Sequence, residues 1–140
     1  MIMPDSYIST YFVLSNKDWI PEAVYTITSI INSKNYMINI KEYGCYSYNI
    51  LYNNYNPAGI YEVKNDCGKY KIANPLRALC DLIYQRNEKK ENIGFIYDSL
   101  RLDWDYLEKL EEKDFDELQG KFDIEIIEYF LKDLKRRVII

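Results

Sequence analysis

The chain has 140 residues, with 18 Lys+Arg against 22 Asp+Glu and a net charge of −4, a length that suits one domain of roughly 100 to 200 residues. An acidic balance excludes a surface built throughout to hold nucleic acid. Histidine is absent, which removes Ser-His-Asp and Cys-His nucleophile pairs, His-ligated zinc and the usual general base near neutral pH.

In chain order, Ser6 or Asp5 is placed to cap a helix over Tyr7–Asn16, with Tyr7, Tyr11 and Leu14 on one face and Pro21 enforcing a stop. From Ala23 the period changes, and the β-branched run to Ile31 predicts a strand followed by a turn at 32–35. Tyr36, Ile38 and Ile40 alternate in a second strand, and Tyr46, Tyr48, Ile50 and Tyr52 in a third after Gly44. Short links between them predict an antiparallel meander. After a loop over 53–59, Ile60–Val63 and Tyr70–Ile72 read as short strands around a turn at Asn65-Asp66-Cys67-Gly68. Asn74 then caps a helix whose first residue, Pro75, has no N–H to leave unpaired. Leu76, Leu79, Cys80 and Ile83 form its buried stripe, and Arg77 and Asp81 are expected as an exposed i,i+4 pair on another face. Beyond the polar junction at 85–92, helices are predicted over Ile93–Leu100, Trp104–Leu110 and Asp123–Arg137. The last has Ile124, Ile127, Phe130 or Leu131, and Leu134 inward, and Lys132, Lys135, Arg136 and Arg137 near its C-terminus.

The expected fold class is α+β: a small antiparallel or mixed sheet flanked by helices over 1–88, and a helical part over 89–140 of the same compact domain. Charge divides unevenly along the chain. Residues 1–86 hold 8 basic and 7 acidic side chains, and 87–140 hold 10 and 15. Cys45, Cys67 and Cys80 are unclustered, so neither a disulfide framework nor a zinc knuckle can be written, and a cytoplasmic location is expected. No apolar run approaches a membrane span.

Catalytic motifs are weak. Asp103 and Asp105, or Glu111, Glu112 and Asp114, lack a calcium-loop or metalloprotease pattern and read as a solvated acidic helix face. The five glycines form no phosphate cradle. Tyr46, Tyr48 and Tyr52 read as one face of a sheet packing on helices rather than as a base-stacking platform. Glu62-Val63-Lys64 has the Glu-x-Lys spacing of metal-dependent nucleases without an evident upstream aspartate, and Lys132-Asp133-Leu134-Lys135-Arg136-Arg137 is the one basic cluster available to a DNA-binding regulator that works with an accessory chain. No enzyme activity, metal or cofactor is expected.

Two segments carry more specific information when read together. Ser6-Tyr7-Ile8-Ser9, Leu14-Ser15 and Ile20-Pro21-Glu22-Ala23-Val24-Tyr25-Thr26-Ile27-Thr28-Ser29 resemble the "SYISxxxALSxxGLIPExVYTITS" segment of the AbiEi-type antitoxins of abortive-infection (type IV) toxin–antitoxin systems. The run from Lys71 to Tyr84 is similar to that family's "xIAxPEKALLDLLY", and Gly44-Cys45-Tyr46-Ser47-Tyr48 falls where the family has a "GxFSY"-like strand. Asp18 stands where the family has glycine, and Leu76-Arg77 replaces its Glu-Lys pair. The resemblance covers residues 5–85. It implies an antitoxin domain that counteracts a cognate nucleotidyltransferase-like toxin, without the family's operator-binding winged helix, so direct nucleic-acid binding by this chain alone is not expected. On the second motif, the resemblance points to Lys71, Arg77 and Asp81 as partner-binding residues.

Overall fold

The computed structural model describes residues 6–23, 27–31, 46–50, 56–66 and 68–139. The strands are β1 (Ser6–Ile8), β2 (Ile27–Ile31), β3 (Tyr46–Ile50), β4 (Ile60–Asn65) and β5 (Gly68–Ala73). The helices are α1 (Tyr11–Asn16), α2 (Pro75–Gln85), α3 (Ile93–Ser99), α4 (Trp104–Leu107), α5 (Glu112–Asp116) and α6 (Glu125–Val138). The five strands form one mixed sheet in the order β3-β2-β1-β5-β4. With helices packed on it and a C-terminal part that is all helix, the fold class is α+β.

β1 corrects the expected helix start. Tyr7 and Leu14 both reach the core, as the helical spacing suggested, but from different elements: the chain is extended through Ile8 and turns at Thr10, whose φ of 60° separates strand from helix. Ser6, Tyr7 and Ile8 are all buried because β1 is the central strand, so the sequence offers no alternation there to mark it as a strand.

The meander is corrected as well. β2 pairs antiparallel with β1, but β3 runs parallel to β2 and β5 parallel to β1; only β4 and β5 form the predicted hairpin. A parallel neighbour requires a crossover of about a dozen residues, and the stretch between β2 and β3 is that long. The predicted strand at 36–40, the turn at 32–35, Gly44 and Tyr52 lie outside the described residues, as do the side chains of β3.

α2 starts as predicted: the Asn74 side chain accepts a hydrogen bond from the Arg77 amide at 2.7 Å, and Pro75 is the first helical residue. Leu76, Leu79, Cys80 and Ile83 are buried, but so is every residue from Leu76 to Ile83. α2 lies against β5, α1 and α6, and a helix enclosed on all sides has no solvent face. α6 buries Ile127, Phe130, Leu131 and Leu134 in the same core as Tyr7, Leu79 and Ile83. The C-terminal helices are tied to the N-terminal segment through the Asp103 amide, which donates to the Trp19 carbonyl at 2.9 Å.

Gly59 shows how tightly the loop before β4 sits on α2. Its φ is +74°, and a Cβ there would lie 2.8 Å from both Cβ of Arg77 and Cδ2 of Leu118. Gly120 has a similar φ of +77° but nothing within 4 Å of such a Cβ. Gly59→Ala is therefore expected to combine backbone strain with overpacking, about 2 kcal/mol or more. Gly120→Ala should cost only the strain, about 1 kcal/mol. Urea unfolding midpoints of the two variants check this ordering.

Candidate functional site

Arg77 and Asp81 are both completely buried, with 0% exposure. This corrects the expected exposed pair. One turn apart on α2, they form an ion pair with Nε donating to Asp81 Oδ1 at 3.1 Å. Nη1 of Arg77 donates to the carbonyls of Ala58 at 2.7 Å and Asn56 at 3.1 Å, and Nη2 donates to the Tyr7 hydroxyl at 3.0 Å. The guanidinium carbon lies 4.7 Å from the centre of the Phe122 ring and 5.3 Å from that of Tyr7. On the other carboxylate oxygen, Ser9 Oγ donates to Asp81 Oδ2 at 2.6 Å.

The environment fixes the protonation states. Burial first, then the charge of Asp81, push the Tyr7 hydroxyl far above its ordinary value despite the opposing charge of Arg77, so it stays a donor to Asp81 while accepting from Arg77. Cys80, completely buried beside this pair, is pushed up by burial and by Asp81. Its thiol is held in the unreactive protonated form. Arg77 has its fork filled by protein acceptors and has no accessible surface, so the arrangement orders backbone and cannot itself touch a partner.

Lys71 is separated from this pair. It lies half-buried on β5, opposite Glu62 of β4, while Lys64 is opposite Lys69. Glu62 and Lys64 are both exposed on β4, and among the described residues no group of three or more Asp, Glu or Cys is arranged to hold a metal ion. The other carboxylates have local duties. Asp103 caps α4 through the Asp105 amide, Asp114 accepts from the Glu111 amide at the start of α5, and Glu117 accepts from the Tyr61 hydroxyl at 2.7 Å. α5 itself was not predicted as an element, since a five-residue helix gives periodicity little to act on.

A second polar cluster, on α6, was likewise not foreseen. Asp133, 8% exposed, accepts from Tyr97 Oη at 2.8 Å, Arg137 Nε at 2.8 Å and Arg136 Nη2 at 2.6 Å. Burial alone would raise its carboxyl, but the hydrogen bonds from Tyr97 and Arg137 and the charges of both arginines hold it below the usual range. The signal available in the sequence was the i,i+4 spacing of Asp133 and Arg137.

No helix among the described residues is long and apolar enough to cross a membrane. In comparisons with known proteins, the chain matches no protein-family model and no curated protein sequence.

Two predictions concern stability. Arg77→Ala strands Asp81 and the loop carbonyls without their partner and should cost about 3–5 kcal/mol, whereas Lys71→Ala should cost under about 1 kcal/mol; equilibrium unfolding separates the two. The Asp133 carboxyl binds its proton less readily folded than unfolded. Its contribution is therefore complete above the unfolded value of about 3.9 and is lost as pH falls through the lower folded value. Below about pH 4 the Asp133→Asn variant should lose stability less steeply than the unmodified chain. The comparison is best made at about 0.5 M salt, where the exposed ion pairs Glu22–Arg101 and Glu125–Lys90 are screened.

Proposed function

We propose that this chain is an antitoxin-like module of the AbiEi type, a non-enzymatic protein that neutralises a cognate nucleotidyltransferase-like toxin in the bacterial cytoplasm. The observation that carries this reading is the convergence of the two resembling segments. Tyr7 and Ser9 come from the "SYIS" segment, and Arg77 and Asp81 from the positions matching Lys and Asp of "PEKALLDLLY". All four meet in one buried hydrogen-bonded network. An arginine in place of lysine keeps the cation of that pair. Asp18 adds independent support. It stands where the family has glycine and has a φ of +62°, a conformation glycine adopts without strain.

On this reading the shared motif residues specify the fold, and partner contact falls to the accessible surface. Asp105, Glu108, Glu111, Glu112 and Asp116 are exposed on and around α4 and α5 and would steer a basic toxin surface toward that side in a salt-dependent way. Lys71, half-buried, is the one partner-binding candidate from the second motif that keeps accessible surface.

Co-expression with a nucleotidyltransferase-like toxin encoded beside the gene is the test. The unmodified chain should restore growth, and Glu62→Gln and Lys64→Ala should restore it equally well. Failure of the folded, unmodified chain to rescue would count against the antitoxin reading. Nuclease activity with Mg²⁺ or Mn²⁺ that disappears in Glu62→Gln would replace it with the enzyme reading.

A further inference from the structure

We propose that the solvent face of α6 binds single-stranded nucleic acid, with Lys132 and Arg136 on the phosphates and Tyr129 against the bases. This goes beyond the antitoxin reading and rests on α6 and its neighbours alone. The net charge of −4 describes the whole chain; one helix face can have the opposite sign.

The structure divides the basic run at 132–137 among three surroundings. Leu134 is in the core. Lys135 turns toward α5, 3.7 Å from Glu112 and 4.0 Å from Asp116. Arg137 lies 4.8 Å from the Tyr97 ring centre and bonds Asp133. Lys132 and Arg136 remain, and with Tyr129 and Asp133 they line a shallow groove of about 140 Å³. These four positions are i, i+3, i+4 and i+7 on one helix face.

Lys132 has no ion-pair partner among the described residues. Arg136 is 76% exposed in its side chain, yet Asp133 holds one end of its fork at 2.6 Å, so the guanidinium is oriented before any ligand arrives. Tyr129 is 40% exposed, with Lys90 Nζ 5.5 Å from its ring centre. Counting Lys90, Lys132, Arg136 and Arg137 against Glu125, Glu128 and Asp133 gives four positive and three negative charges, a local +1, and Glu128 is turned to the Gly120 and Phe122 amides.

An exposed aromatic among cations is the combination by which proteins hold unpaired strands, stacking on bases and following the backbone. Lys132 and Arg136 are four residues apart, about 6 Å along the helix axis, far enough to serve separate phosphates. A duplex fits less well, because its bases are stacked away from a single tyrosine. A protein partner fits less well too, since the cores of such interfaces are depleted in charged residues and three of the four residues lining this groove, Lys132, Asp133 and Arg136, are charged.

The experiment is fluorescence anisotropy of a labelled oligouridylate of about 20 nucleotides with the full chain at about 50 mM salt, repeated at rising salt. Saturable binding is expected, with a log–log salt slope near −1.4, about 0.7 for each of two phosphates. Lys132→Glu and Tyr129→Ala should each weaken binding about tenfold. The charge-matched control Lys64→Glu, on exposed β4, should change it less than about twofold. Circular dichroism confirms that each variant is folded. The proposal is overturned by the absence of saturable binding, by equal loss in Lys64→Glu, or by equal affinity for a duplex together with indifference to Tyr129→Ala. It is also overturned if polyglutamate displaces the probe better than unlabelled oligouridylate does, which would assign the face to an acidic protein segment.

Discussion

A guanidinium with no access to water has to find its acceptors inside the protein, and the placement of Arg77 sets that requirement for this fold. The acceptors come from separate parts of the chain: Asp81 one turn along α2, the Asn56 and Ala58 carbonyls before β4, and the Tyr7 hydroxyl on the central strand β1. Phe122, between α5 and α6, closes over the cation. Sheet, loop and C-terminal helical part are thus positioned against one side chain. The loop is fixed a second time where the Asn74 amide donates to the Gly59 carbonyl at 2.7 Å, at a residue whose φ of +74°, with only 2.8 Å between a Cβ there and Arg77 or Leu118, favours glycine. A cation desolvated to this degree is tolerated only when paired and fully hydrogen-bonded, so removing any one acceptor affects the others.

The features legible in the sequence were the local ones. The Asn74-Pro75 cap, the stripe of α2 and the apolar positions of α6 each depend on residues within two turns of one another, and all three are present. Arg77 and Asp81 were misplaced because an i,i+4 pair has the same spacing on a surface as in a core. Composition held the distinction: between Pro75 and Tyr84 they are the only polar residues, so the helix is apolar nearly all round and has no solvated side for them to occupy. β1 was missed because a three-residue central strand is buried on both faces and has no period. The parallel pairing of β2 with β3 depends on a crossover over the long stretch between them, not on a short link, and the pairing of β1 with β5 joins residues far apart in the chain, which local patterns do not foretell. Nor was Asp133 legible as a centre, since its Tyr97 partner lies 36 positions away.

Burying the polar residues of the second motif separates two roles that the sequence had merged. Tyr7, Ser9, Arg77 and Asp81 hold the fold, while chemistry available to a partner is confined to side chains that keep solvent access. α6 divides that surface by its periodicity. One side enters the core, Lys135 turns toward the acids of α5, and Tyr129, Lys132 and Arg136 face outward with the opposite charge. On the proposed readings, a partner would meet one or the other of these helix faces, and the buried network holds the helices that carry them.

The most direct test of the buried network is a double-mutant cycle on Arg77 and Asp81, read by equilibrium unfolding. Arg77→Met and Asp81→Leu each leave a buried charge or its acceptors unpaired, whereas the double variant removes both charges together. The arrangement predicts that the double variant is more stable than the sum of the single losses implies, with a coupling of about 2–3 kcal/mol. Additive losses within about 0.5 kcal/mol would contradict it, because the two side chains would then contribute independently and Arg77 would not be the group on which the rest of the fold depends.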